Sequence, residues 1–110
     1  GDADADFAYH CMTWRLPTEV RRGLRDFDLP ALGIPTESEY LRRYCERTGR
    51  ASIPEFDYYV AFNLFRLAAI LQGVAARARL GNASSARAAE CGELAPAVAQ
   101  VGWQQVERMG

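Results

Sequence analysis

The stretch PEFDYYVAFNLFRLAAILQGVAARARL, residues 54 to 80, decides the fold. Pro54 suits a first helical turn, where its missing N–H would have had no partner in any case. From there the pattern predicts one helix to Leu80, with Gly81-Asn82 as the stop. Its middle, Tyr58 to Val74, is apolar almost all round, and such a helix belongs at the centre of a bundle, covered on most sides. Ala68, Ala69, Gly73 and Ala76 supply small patches where neighbouring helices can approach closely. Asp57, Asn63, Arg66 and Gln72 interrupt the apolar run, so a membrane span is not expected.

On the N-terminal side, Thr36-Glu37-Ser38-Glu39 is a capping box, with Thr36 and Glu39 placed to satisfy each other's backbone N–H groups. It opens a helix carrying Tyr40, Leu41, Tyr44 and Cys45 at helical spacing and ending at Gly49. Residues 15 to 35 hold Pro17, Gly23, Pro30, Gly33 and Pro35, too much punctuation for a long helix; a short turn at Glu19 to Arg22 is the most this loop should contain. Asp2 to Trp14 reads as a first helix, its acidic start at Asp2, Asp4 and Asp6 favoured by the helix dipole. On the C-terminal side, Ser84 or Ser85 caps a last helix bearing Cys91, Leu94, Val98, Val101 and Val106. Pro96 falls inside it and predicts a kink or a break, because it removes one backbone bond and crowds the Gly92 carbonyl. Nothing calls for a strand. The expectation is an all-α chain of four to five helices.

Composition narrows the chemistry. The 110 residues are 49% hydrophobic and 25% charged, which is globular. The formal net charge of -1 argues against a broad nucleic-acid surface, and all 13 basic residues are Arg. Without a lysine, no P-loop, Schiff-base or kinase nucleotide lysine can be supplied from within the chain. Cys11, Cys45 and Cys91 are far apart and accompany one histidine, so neither a disulfide framework nor a zinc site is expected. Reduced cysteines and a cytoplasmic setting fit that pattern, without nucleic acid or membrane as partner. His10 and Cys11 point about 100° apart on a helix and cannot form a nucleophile–base dyad.

The segment Gly1-Asp2-Ala3-Asp4-Ala5-Asp6-Phe7-Ala8-Tyr9 resembles the G-D-x-x-x-D-[LF]-A-Y segment of the aminoglycoside phosphotransferase and choline kinase-like family. Trp14-Arg15-Leu16-Pro17, Gly33-Ile34-Pro35, Tyr44 to Arg50, Phe65 to Val74 and Gly81 to Ser85 look like one bacterial subgroup, similar to the kinase-like domain fused to acyl-CoA dehydrogenases. The resemblance implies that residues 1–110 form the C-terminal helical part of a protein kinase-like α+β fold, with the nucleotide-binding lobe and catalytic loop lying outside this sequence. It implies a parent enzyme that uses ATP and magnesium to phosphorylate a hydroxyl of a small molecule. The acceptor would be aminoglycoside-like or hydroxyacyl thioester-like, and the fragment would be inactive alone, needing the missing N-terminal lobe as its partner. It gives Asp6, and more weakly Asp2, the role of bracing that catalytic loop. A free-standing helical ligand-binding or interaction module is the rival reading.

Candidate acceptor-binding residues are Trp14, Tyr58, Tyr59, Asn63 and Arg66. The aromatic side chains can wall a pocket or finish a core. Asn63 and Arg66, one turn apart, would face a cleft; the alternative is an internal ion pair of Arg66 with Asp6 or Asp57, since a buried guanidinium must be paired. Arg15, Arg21, Arg22 and Arg25 form either a solvated face or a phosphate-binding cluster for a coenzyme A thioester.

Overall fold

The structure is a computed structural model that describes residues 2–20, 23–80 and 86–109. Five α-helices follow in order: α1 (Asp2–Cys11), α2 (Leu29–Leu32), α3 (Glu37–Arg47), α4 (Phe56–Arg79) and α5 (Ala86–Met109). A 3-10 turn, Met12–Arg15, continues α1. No strand occurs among the described residues.

Local chemistry accounts for most of these boundaries. The capping box forms as read: the Glu39 N–H donates to Thr36 Oγ1 at 3.1 Å, and the Thr36 N–H donates to Glu39 Oε1 at 3.1 Å. The N–H of Gly49, at φ 71°, reaches back to the Glu46 carbonyl to close α3. The one-turn α2 is an element the loop reading lacked. Asp28 caps it, Pro30 presets its first turn, and Gly33 ends it at φ 70°. The proposed turn at Glu19 to Arg22 is partly seen as a turn through Thr18–Val20; Arg21 and Arg22 lie outside the described residues, as do Gly81 to Ser85 and their expected stop and caps.

The fold is built on α4. It runs antiparallel to α5, as the pairings of Ala75 with Gly92 and Leu64 with Gly102 show. A Cβ at Gly92 would sit 3.0 Å from the Ala75 Cβ, and one at Gly102 would sit 3.3 Å from both the Leu64 Cβ and the Phe65 ring. The two glycines therefore set how closely the helices approach. On its other flank α4 receives α1, and between them lies a core of Phe7, Ala8, Cys11, Met12, Val60, Leu64, Leu67 and Val98. Each large core side chain contributes roughly 1.5–3 kcal/mol by leaving water. The aromatic face of α3 then closes on α1: Phe7 stacks on Tyr44 at 3.9 Å and on Tyr40 at 5.3 Å.

Two expectations need correction. Of the kink or break expected at Pro96, the break does not occur: α5 continues through it to Met109. Pro96 itself is exposed. Helix α4 is not covered on most sides. Its buried residues follow one face, while Tyr58, Phe62, Phe65 and Ile70 are exposed on the opposite one. By length and composition α4 is long and apolar enough to cross a membrane despite its polar interruptions, yet one of its sides is occupied by α1 and α5.

Candidate functional site

Helix α1 carries the acidic segment, and its fixation begins with Asp4. Residues 4, 7, 8 and 11 share one stripe, so the stripe that buries Phe7, Ala8 and Cys11 also turns Asp4 inward. A buried carboxylate must be compensated. Arg50 supplies both guanidinium nitrogens, Nη1 donating to Asp4 Oδ2 at 2.8 Å and Nη2 to Oδ1. The Tyr44 hydroxyl donates to the same carboxylate at 3.4 Å, and the Arg50 guanidinium lies 5.8 Å from the Tyr44 ring centroid. Hydrogen bonding from Arg50 holds the Asp4 carboxyl below its ordinary value, and the same bond raises the Arg50 guanidinium. This fork ties α1 to the segment that leaves α3.

Asn63 makes the second tie. It is buried on α4, and its Nδ2 donates to the Ala5 carbonyl at 3.2 Å. With Asp4 and Ala5 both anchored, Asp6 is left exposed on the outer side of α1. The side chain of Asp2 lies outside the described residues. Asn63 and Arg66 therefore do not act together. Asn63 faces α1, whereas Arg66 is exposed, which corrects the internal ion pair with Asp6 or Asp57. Among the described residues no carboxylate stands within ion-pair distance of Arg66.

Trp14 finishes a core instead of walling a pocket. Its Nε1–H donates to the Pro35 carbonyl at 2.9 Å and its ring stacks on Tyr40 at 4.9 Å. Arg15 is not free to meet a phosphate. Its Nη2 and Nε reach the two Glu37 carboxylate oxygens at 2.7 and 3.0 Å, and its Nη1 donates to Gln105 Oε1. Gln105, buried on α5, in turn donates to the Asp57 carbonyl at 3.2 Å, tying the end of α5 to the start of α4. Arg25 lies beside Asp26 at 3.6 Å on the surface, so the loop arginines do not converge within the described residues.

A cleft of about 970 Å³ opens between the end of α3, residues 50–55, the start of α4 and the end of α5. Leu41, Ile53, Phe56 and Met109 give it an apolar floor, and Arg42, Arg50, Glu46, Glu55 and Asp57 edge it. Tyr58 lines it; Trp14, Tyr59, Asn63 and Arg66 do not. Glu55 adopts φ 63° at the entry to α4, a left-handed conformation that costs a non-glycine residue about 1 kcal/mol or more. Tyr59 is half-buried and meets Tyr58 edge-on at 6.1 Å. Asp4, Arg50 and Gln105 are the positions that sequence reasoning missed. Asp4 was legible from its i, i+3, i+4, i+7 relation to Phe7, Ala8 and Cys11, whereas Arg50 and Gln105 carry no such local signal.

The helix pair, the third helix pinned across it through its acidic segment and the cleft at one end take their class from comparison: they match the helical part of a kinase-like fold. Comparison with known proteins gives this class its family. A crystal structure of a provisionally named aminoglycoside phosphotransferase from Ralstonia eutropha JMP134 superposes at a TM-score of 0.86 with 42% identity, covering 96% of this chain and 32% of that one. Over nearly its whole length the chain thus resembles the helical part of an aminoglycoside phosphotransferase-like protein. Acyl-CoA dehydrogenase family member 10 of Mus musculus is 45% identical over 112 residues, 100% of this chain and 10% of that protein. Acyl-CoA dehydrogenase family member 11 of Homo sapiens is 35% identical over 77 residues, 69% of this chain and 10% of that protein. The chain thus spans about a tenth of the length of these curated relatives. Their names fit the subgroup resemblance read from Trp14 to Ser85. No family model matches the chain.

Proposed function

We propose that this chain is the substrate-side helical portion of an ATP-dependent phosphotransferase that phosphorylates a hydroxyl of a small molecule. The likeness in fold and sequence to the Ralstonia protein is the observation that carries the reading. Phosphoryl transfer depends mainly on positioning and charge stabilisation, so a rigid support beside the reacting groups is a useful contribution. In this reading the Asp4–Arg50 fork and the Asn63 bond hold α1 still, and exposed Asp6 accepts hydrogen bonds from the backbone of a catalytic loop. The cleft beside Tyr58 would hold the acceptor, its apolar floor suiting an acyl or ring portion and its charged edge a polar one. Between an aminoglycoside and a hydroxyacyl thioester, the likeness to the acyl-CoA dehydrogenase family members supports the thioester.

In this reading magnesium and nucleotide serve the parent protein. Among the described residues no group of three or more His, Cys, Asp or Glu side chains could hold a metal. Both would be bound by other parts of the parent protein. The test is a phosphoryl-transfer assay on the full-length parent with labelled ATP and a panel of hydroxyl compounds. Transfer to at least one of them is expected, with Asp6→Asn lowering kcat while leaving the acceptor KM nearly unchanged. Label appearing in no hydroxyl compound of either class would refute the reading.

A further inference from the structure

The outer face of α4 exposes several large apolar side chains. At 100° per residue, Tyr58, Phe62, Phe65 and Ala69 fall within about 60° of one another, with Arg66 and Ile70 along one edge. Tyr58 and Phe62 are each 55% exposed, Ile70 47% and Phe65 40%; the Tyr58 and Phe62 rings stack at 6.4 Å and head an apolar strip whose Phe65 edge also borders Gly102 of α5. Arg66 stands beside that strip with no carboxylate in reach among the described residues.

The overall dimensions point the same way. The accessible surface is 6999 Å², whereas a self-contained protein of 12.2 kDa would expose roughly 6,100 Å². The radius of gyration is 15.5 Å, against roughly 13 Å for a compact chain of this length. The surplus, on the order of 900 Å², is close to the ~800 Å² that one side of a stable protein interface buries. Two thirds of the Ralstonia chain lies outside the region matched here.

We propose that the Tyr58–Phe62–Phe65–Ile70 strip is an interface for the remainder of the parent polypeptide, and that the covering surface is apolar with a carboxylate placed opposite Arg66. The inference rests on the kinase-like reading of the fold. Once covered, the guanidinium would leave water and require that partner, since an unpaired buried charge is strongly unfavourable.

A photo-crosslinking benzoylphenylalanine placed at Phe62 of the full-length parent tests it, with the adducts mapped by mass spectrometry. The expected product has monomer mass and joins residue 62 to a segment outside residues 1–110. Dimer-mass adducts to a second copy, adducts to added detergent or lipid, or no adduct at all would each overturn the proposal. As a second measurement, Arg66→Glu should accelerate limited proteolysis of the parent several-fold, with Arg66→Lys close to wild type; equal behaviour of the two variants would remove the carboxylate from the proposal. A parent that transfers phosphate yet crosslinks only between copies would sink this inference and leave the functional reading intact.

Discussion

Replacing Asn63 by Ala should destabilise the 110-residue chain, and replacing Arg66 by Ala should not. The two residues stand one turn apart on α4, both polar within an apolar run, yet the structure gives them opposite surroundings. Asn63 is buried and donates to the carbonyl of half-buried Ala5 at 3.2 Å, so its loss removes that hydrogen bond and leaves a gap beside α1. The expected penalty is ~1–3 kcal/mol. Arg66 is exposed and unpaired among the described residues, and a surface change of that kind falls within about ±0.5 kcal/mol. For a domain near this size each kcal/mol moves the midpoint by roughly 4 °C, so Asn63→Ala should melt ~4–12 °C lower and Arg66→Ala within ~2 °C of wild type. Parallel thermal and urea melts followed by far-ultraviolet circular dichroism would measure both. Equal losses for the two variants, or a larger loss for Arg66→Ala, would refute the assignment of Asn63 as the tie between α1 and α4.

Three further outcomes are expected. The Asp4 carboxyl is held below its ordinary value near 3.8 by Arg50, so its stabilising effect is full above that value and disappears as pH falls through the lower folded one; Asp4→Asn should flatten the acid limb of a stability–pH curve. Burial pushes the Cys11 thiol up to about 12, which at pH 8 leaves on the order of one thiolate in 10⁴ against roughly one in four for a free cysteine; iodoacetamide under native conditions should therefore label half-exposed Cys91 well before Cys11, as peptide mapping would show. Thr36→Ala should cost ~1 kcal/mol in a urea melt by opening the capping box with Glu39, and Thr36→Ser should restore most of it.

The long helices were legible because they rest on local rules, although α4 starts at Phe56 behind Glu55 and not at the expected Pro54. Thr36 with Glu39 fixes the start of α3 from four residues alone, and the apolar run from Phe56 fixes α4. The one-turn α2 was hidden among prolines and glycines, where the same residues that end a helix can also frame a very short one. The exposure of α4 could not be read, because periodicity reports how apolar each face is and not whether a partner is present to cover it. Among the candidate site residues, Asn63 was rightly marked as unusual, but its partner Ala5 is 58 positions away and no spacing rule reaches that far. Arg50 and Gln105 were invisible for the same reason: each acts on an element distant in sequence, Arg50 on Asp4 and Gln105 on Asp57.

The glycine seam between α4 and α5 also acts as a gauge for the cleft. A methyl group added at Gly102 must push Leu64 and Phe65 away by a few tenths of an ångström, and Met109, which forms part of the cleft wall, lies seven residues further along the same helix, about 10 Å away. Any substitution that wedges the seam therefore re-spaces the jaw of the cleft without touching a single residue inside it. The width of the cleft could be adjusted from Gly102 as from a set screw, leaving the lining itself unchanged.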